Sequence, residues 1–288
     1  MGAKLHEMAR QEPFHSSKLK LQEHFGHREG HNIWSMLMEA FIDKETDESL
    51  WLSWVERVMK GEPVQYVTGF TWFYGLRIAV APSVLIPRPE TEELVLWANQ
   101  WKREKGRSTG TAIDWGTGSG CIALAFKSHN PSWRVIAREL SQEAVELAAR
   151  NAEELKLNVE IEWANILETT KKEDRFKADI IFSNPPYISI EEREQMAENV
   201  LDHEPFMALF APGTDPLLFY RALRDRAEEE LADNGVMLME INEFRGNATA
   251  LIFEEHGWYT RLEKDLSGKN RMLMAAKDHS LLTNYQLI

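Results

Sequence analysis

Ala112-Ile113-Asp114-Trp115-Gly116-Thr117-Gly118-Ser119-Gly120 links one apolar run to a second that starts at Cys121 and continues Ile122-Ala123-Leu124-Ala125-Phe126. The first run reads as a strand and the second, from Cys121 to His129, as a helix. Three glycines at a strand-to-helix turn let the backbone approach a ligand closely at the helix amino end. A nucleotide-like ligand is therefore expected. The dinucleotide fingerprint needs glycine three residues after its second glycine, and that place holds Cys121, which disfavours a pyrophosphate. The pattern suits S-adenosylmethionine. Its amino-acid end requires close backbone contact along Gly116, Thr117, Gly118, Ser119 and Gly120, and Asp114 can balance its ammonium group.

Working outward, Glu139 follows the next strand, Arg134 to Ala137, and lies 19 residues after Gly120. An acid at about that separation reaches ribose hydroxyls in related sheets; the alternative is an exposed acid opening the helix Gln142 to Leu155. After a third strand, Val159 to Trp163, Asn165 can accept from an adenine amino group while Ile166 covers the ring. An ordinary loop is the competing reading.

The fourth strand, Asp179 to Phe182, ends in Asn184-Pro185-Pro186-Tyr187. Ligands of open α/β sheets bind at the carboxyl ends of strands, so the tetrapeptide is a candidate reaction centre. It suits methylation of a planar nitrogen. The Asn184 side-chain oxygen and the Pro185 carbonyl can accept that nitrogen's two hydrogens, proline offers no competing N–H, and Tyr187 can cover the flat face. Asn-Pro also starts turns, and a Pro-Pro pair can simply end a strand.

Upstream, residues 1–64 carry helical patterns such as Ile33, Trp34, Leu37, Met38 and Phe41, then Leu50, Trp51, Trp54, Val55 and Val58. They predict a small helical domain, stopped by Gly61-Glu62-Pro63. Residues 65–85 read as a hairpin connector, in which Trp72, Phe73 and Tyr74 are expected to pack. From residue 86 to 288 strands and helices alternate. Pro89 with Glu90, Glu92 and Glu93 opens a helix to about Lys105, Pro216 to Ala232 is helical and Gly235 to Ile241 is a strong strand. Trp258-Tyr259-Thr260 and Arg271 to Ala275 predict two late strands with an antiparallel finish. The fold class is α/β with a mainly parallel sheet. Lys171-Lys172-Glu173-Asp174-Arg175 is expected to be a solvated loop.

The 288 residues carry 46 acidic against 33 basic side chains, a formal net charge of −13, which opposes a partner bound by neutralising phosphates. One cysteine, Cys121, excludes an internal disulfide framework and points to a reducing compartment, the cytoplasm. No apolar stretch approaches the roughly 18 residues that span a bilayer. The amino terminus lacks the apolar core of a signal peptide, and His6 stands where a myristoylation signal needs Ser or Thr. His24, His27 and His31 can share a helical face, yet no thiolate cluster accompanies them and no metal is expected.

Taken in order, the loop, the acid and the tetrapeptide make the chain resemble the bacterial peptide-chain release factor glutamine N5-methyltransferases. The resemblance runs from about Gly61 onward. It is carried also by Gly61-Glu62-Pro63-Val64-Gln65-Tyr66-Val67-Thr68-Gly69, by Leu85-Ile86-Pro87-Arg88-Pro89-Glu90-Thr91-Glu92-Glu93-Leu94-Val95, and by His203-Glu204-Pro205 with Ala208-Leu209. It implies a Rossmann-like class I methyltransferase domain. It also implies that Gly116 to Gly120, Glu139, Ile166 and Asn184 contact S-adenosylmethionine, which leaves as S-adenosylhomocysteine. Asn184, Pro185, Pro186 and Tyr187 would hold a glutamine from the Gly-Gly-Gln tip of a release factor, and the helical domain would give that factor a second surface. A monomer without nucleic acid or membrane partners is expected. Two positions depart from the pattern: Glu139 and Asn165 stand where the family more often has Asp.

The rival enzyme methylates the exocyclic amino group of adenine in DNA or RNA, a planar nitrogen that fits the same tetrapeptide. The acidic balance and the lack of a recognition module oppose it. A non-catalytic binder is opposed by the complete loop and tetrapeptide. Cys121 reads as a packed residue and Arg88 and Thr91 as parts of a helix start, with a role at the methionine end as the alternative.

Overall fold

The structure, a computed structural model, describes residues 10–44, 47–168, 177–196, 198–213 and 215–282. The amino-terminal residues 1–9 and the charged run 171–175 lie outside the described residues.

Helices α1 (Phe14–Phe25), α2 (His27–Lys44) and α3 (Glu48–Met59) come first. Their apolar stripes converge, burying Leu21, Trp34, Leu37, Met38, Trp51 and Trp54 together. Both central indoles find acceptors: Trp34 Nε1 donates to the Phe14 carbonyl and Trp51 Nε1 to the Ser17 hydroxyl, each at 3.1 Å. Asp47 caps α3 by accepting from the Leu50 amide, and Leu50 itself turns toward solvent, out of the predicted stripe.

The predicted connector is only partly extended. Its first residues form a helical turn, α4 (Val64–Thr68), followed by the hairpin β1 (Phe70–Phe73) and β2 (Leu76–Ala79), with Phe70 opposite Ala79. Burial selects the turn: Val64 and Val67, three apart, pack into the helical core, whereas Tyr66 faces a separate cluster with Val84 and Leu147. Gly69 closes it in the left-handed region, at φ 85°. Within β1, Phe73 is buried but Trp72 points the other way, half exposed, and donates its indole N–H to Glu39 of α2 at 3.2 Å. Trp72 therefore does not pack the connector as expected.

The 3-10 turn Pro89–Thr91 leads into α5 (Glu92–Glu104), and the alternation follows: β3 (Thr111–Trp115), α6 (Cys121–His129), β4 (Arg134–Glu139), α7 (Gln142–Glu154), β5 (Glu160–Trp163) and β6 (Ala178–Ser183). Two short helices, α8 (Glu198–His203) and α9 (Phe206–Leu209), precede α10 (Leu218–Glu230), β7 (Leu231–Glu240), α11 (Gly246–Glu254), β8 (Tyr259–Lys264) and β9 (Asn270–Ala276). The strand order is β5-β4-β3-β6-β7-β9-β8, parallel from β5 to β7 and antiparallel at β9 and β8. This is the expected mainly parallel α/β sheet with an antiparallel finish. The helices α8, α9 and α11 are absent from the sequence expectations. Among the described residues no helix is long and apolar enough to cross a membrane.

The sheet is buried on both sides because its side chains alternate. Ala112, Ile180, Phe182, Val236 and Leu238 face α5 and α6, while Ile113, Trp115, Ile181, Met237 and Met239 face α10 and α11. Register then places the chain's exits. Arg138, Trp115, Ser183 and Met239 stand in one row across four parallel strands, so Glu139, Gly116, Asn184 and Glu240 emerge side by side at the carboxyl edge. The strand order reverses between β3 and β6, which is where such sheets bind ligands.

Asn151 of α7 ties the hairpin to this edge. Its Oδ1 accepts from the Ala79 amide at 2.8 Å, and its Nδ2 donates to the Ala79 carbonyl at 3.0 Å and the Ser119 carbonyl at 2.8 Å. Replacing Asn151 by Ala leaves these groups without a partner, and we expect urea denaturation to show a loss of about 1–3 kcal/mol. A loss indistinguishable from zero would show that the tie contributes nothing to stability.

Candidate active site

A cavity of about 590 Å³ opens at this edge, a size typical of small-ligand sites. The loop Gly116-Thr117-Gly118-Ser119, with Glu139, Ile166, Asn184, Pro185 and Pro186, lines it. Predicted cofactor and substrate positions thus share one space. Asp114, Gly120, Asn165 and Tyr187 are not on its lining, and each is placed for a different reason.

The loop holds its shape through φ values of 72°, 57° and 85° at Gly116, Gly118 and Gly120, a region that glycine enters without strain. A Cβ on Gly116 or Gly118 would meet open space, so conformation rather than crowding selects glycine there. Gly120 instead sits against Ala148 and Leu124 and starts α6. The Arg138 carbonyl of β4 receives the Gly116 and Thr117 amides at 2.9 and 3.1 Å.

Glu139 reaches across from β4. Its Oε2 accepts from the Gly118 amide at 2.9 Å, and its Oε1 from Leu140 and Ser141 at 2.7 and 3.1 Å. Three of roughly four acceptor positions on the carboxylate are thereby used, leaving one for a ligand hydroxyl. Asn165 is spent on its own loop: Oδ1 accepts from Leu167 and Nδ2 donates to Glu168, both at 3.0 Å. The structure brings Ile166, but not Asn165, to the cavity.

Asp114 is fully buried beneath the loop. Its Oδ2 accepts from the Thr117 hydroxyl at 2.5 Å, and its Oδ1 has no hydrogen-bond partner. Burial pushes its pKa up to about 7, offset in part by the Thr117 hydroxyl and the Ala123 amide. Cys121 lines the cavity as a free thiol, and burial pushes it up to about 12, so it stays protonated. Among the described residues no cluster of His, Cys, Asp or Glu could hold a metal ion, and His24, His27 and His31 are exposed.

The chain matches a family model described as the methyltransferase small domain over residues 98–205. It is 35% identical to the release factor glutamine methyltransferase of Flavobacterium psychrophilum over 265 residues, 86% of this chain and 92% of that protein. With the protein of the same name from Bacteroides thetaiotaomicron it shares 40% identity over 228 residues, 76% of this chain and 77% of the other. The chain belongs to the release factor glutamine methyltransferase family. A methyltransferase structure from Pyrococcus furiosus, 21% identical, overlays 70% of the chain and 89% of its own with a TM-score of 0.51, which supports the fold.

In this family member, two supports of the cavity wall were not evident from the sequence. Glu204 accepts from Arg88 at 2.5 Å and from the Ile86 amide at 3.2 Å, which clamps the segment before α5 to the one before α9. Both segments line the cavity, through Pro87 and Arg88 on one side and Pro205 and Phe206 on the other. Glu240, fully buried at the end of β7, accepts from the Thr91 hydroxyl at 2.6 Å and the Tyr187 hydroxyl at 2.9 Å. Burial raises its pKa, and the two hydroxyls with Arg271 draw it back. Tyr187 stands behind the lining, its ring packed on the β6–β7 face, and burial beside Glu240 holds its hydroxyl protonated. The available signal was a lone acid closing the apolar run Val236-Met237-Leu238-Met239.

Asp114 makes a pH prediction. Because its folded pKa lies above the ordinary 3.8, the unfolded chain releases the proton first as pH rises. Its contribution to the unliganded fold is therefore complete at acid pH and declines between about 4 and 7. Melting curves of wild type and Asp114→Asn across that window should show wild type losing ground steadily relative to the variant. A constant difference would contradict the burial argument.

Proposed function

We propose that this chain transfers the methyl group of S-adenosylmethionine to the side-chain nitrogen (N5) of the glutamine in the Gly-Gly-Gln motif of peptide-chain release factors. The observation that carries the reading is that Asn184 and Pro185 open into the same cavity as the glycine loop. The names and coverage of the relatives support the substrate.

The residues present fit the methyl donor. The left-handed glycines shape a cradle, Glu139 retains an acceptor for a ribose hydroxyl, Ile166 offers an apolar face to adenine, and Asp114 carries an unpartnered buried oxygen near the cationic end. When bound, S-adenosylmethionine supplies an electrophilic methyl on a positively charged sulfur and leaves as neutral S-adenosylhomocysteine. Asn184 Oδ1 and the Pro185 carbonyl accept the two hydrogens of the glutamine amide and aim its nitrogen at that methyl. The nitrogen forms the new N–C bond as the C–S bond breaks toward sulfur, and its surplus proton leaves for water. The glutamine nitrogen is itself the nucleophile and positioning is the enzyme's main contribution, so no nucleophilic side chain is required. Tyr187 supports the wall from behind through Glu240 rather than covering the amide directly.

The helical region 1–64 gives the release factor a second surface. A translation-factor substrate with a single-cysteine enzyme suits the cytoplasm.

The test supplies methyl-labelled S-adenosylmethionine with a release factor, with the same factor carrying Ala for its tip glutamine, and with DNA or RNA. Label is expected on the intact factor alone; label confined to nucleic acid would overturn the reading in favour of adenine. Asn184→Ala should lower turnover by about 100-fold or more while the Kd for S-adenosylmethionine stays within a few-fold.

A further inference from the structure

Asn184 presents a carboxamide whose two ends differ: Oδ1 accepts and Nδ2 donates. The proposed reaction, on which this inference rests, needs the oxygen toward the cavity, because the glutamine nitrogen arrives carrying hydrogens. Nothing in the ring-free, nearly symmetric shape of the carboxamide enforces that choice. The surrounding hydrogen bonds must.

Asn184 Nδ2 lies 3.2 Å from the Thr91 hydroxyl, and no described protein group donates to Oδ1. A hydroxyl has one hydrogen, so its role toward Asn184 depends on where that hydrogen goes. Thr91 Oγ1 lies 2.6 Å from Glu240 Oε2, and the other oxygen of Glu240 receives the Tyr187 hydroxyl at 2.9 Å. The two donated hydroxyls and Arg271 oppose the effect of burial and favour the ionised form of Glu240, which only accepts. The Thr91 hydrogen is thereby committed to Glu240, Thr91 can only accept from Asn184, and the amide must turn its NH2 toward Thr91. Its oxygen is left for the cavity.

We infer that Glu240 and Thr91 are positioning residues that fix which end of the Asn184 carboxamide meets the substrate amide. The three come from separate parts of the chain, the turn before α5, the end of β6 and the end of β7, and only the parallel register of β6 with β7 brings Asn184 beside Glu240. Both Thr91 and Glu240 are almost wholly removed from water, at 2% exposure each, so solvent does not substitute for either partner. A merely structural role would call for the Thr91–Glu240 bond but would place no demand on the direction of hydrogen bonding to Asn184.

The experiment uses the full chain with Thr91→Val, Thr91→Ser and Glu240→Gln. Thr91→Val keeps the shape of the side chain and removes the acceptor; kcat on a release factor should fall about 10–100-fold with the Kd for S-adenosylmethionine unchanged. Thr91→Ser should recover most of that loss. Glu240→Gln sets an NH2 against one of the two hydroxyls, so the hydrogen-bond direction at Asn184 is no longer unique and kcat should fall by an intermediate factor. A Thr91→Val enzyme with wild-type kcat, or one whose loss of kcat is matched by a loss of cofactor affinity, overturns the inference.

A second readout needs no substrate. In nitrogen-15 spectra the Asn184 side-chain NH2, assigned by its disappearance in Asn184→Asp, should exchange slowly with water in wild type and Thr91→Ser and rapidly in Thr91→Val. Equal exchange in all three overturns the relay. If wild type fails to methylate the release factor, the proposed substrate falls, and the relay is then decided by this exchange measurement alone.

Discussion

The register of the central parallel strands is the constraint from which the site follows. With Arg138, Trp115, Ser183 and Met239 in one row, the next residue of each strand is Glu139, Gly116, Asn184 or Glu240. The residues proposed to meet the ribose, the cofactor and the substrate amide, and the buried acid beside that amide, are thus set by backbone pairing before any side chain is chosen. A slip of one residue in β6 would send Asn184 to the wrong place and turn Ile181 and Phe182 onto each other's faces. The apolar alternation that buries both faces therefore also protects the reaction centre. Ser183 reinforces the row by donating its hydroxyl to the Trp115 carbonyl at 2.7 Å.

Two buried acids at this edge show how environment separates similar groups. Asp114 sits under the loop with one oxygen unpartnered, and burial moves it close to neutral pH. Glu240 has a hydroxyl on each oxygen and Arg271 nearby, which counter its burial. The first keeps one oxygen without a partner; the second has its oxygens fixed by Thr91 and Tyr187. Both carry a desolvation cost that a structural core would avoid.

Local patterns were legible in the sequence, and long-range pairings were not. The loop from Gly116 to Gly120 declared itself because glycine spacing encodes a backbone shape, and Asn184 to Tyr187 because a polar turn closed an apolar strand. Apart from α8, α9 and α11, the helices and strands from Cys121 to Ala276 followed from period and punctuation. Tyr66 falls in the segment 65–85 that reads as a hairpin, because β-branched and aromatic neighbours resemble a strand, while tertiary burial imposes a helical turn. Trp72 was misassigned for a similar reason: alternation put its ring opposite Phe73. Glu240 acts through Thr91 and Tyr187, 149 and 53 positions away, Thr91 also through Asn184 at 93 and Glu204 through Ile86 at 118, separations that no local pattern encodes. Asn165 looked like a base reader by position, yet its loop consumes both ends of the amide.

The most direct test of the central claim is a crystal structure of the protein with S-adenosylhomocysteine and a peptide carrying Gly-Gly-Gln. The glutamine nitrogen should lie at hydrogen-bond distance, about 2.7–3.2 Å, from both Asn184 Oδ1 and the Pro185 carbonyl, with Asn184 Nδ2 still on Thr91. A glutamine whose carboxamide lies away from Asn184, or which meets the nitrogen end of that side chain, would contradict it.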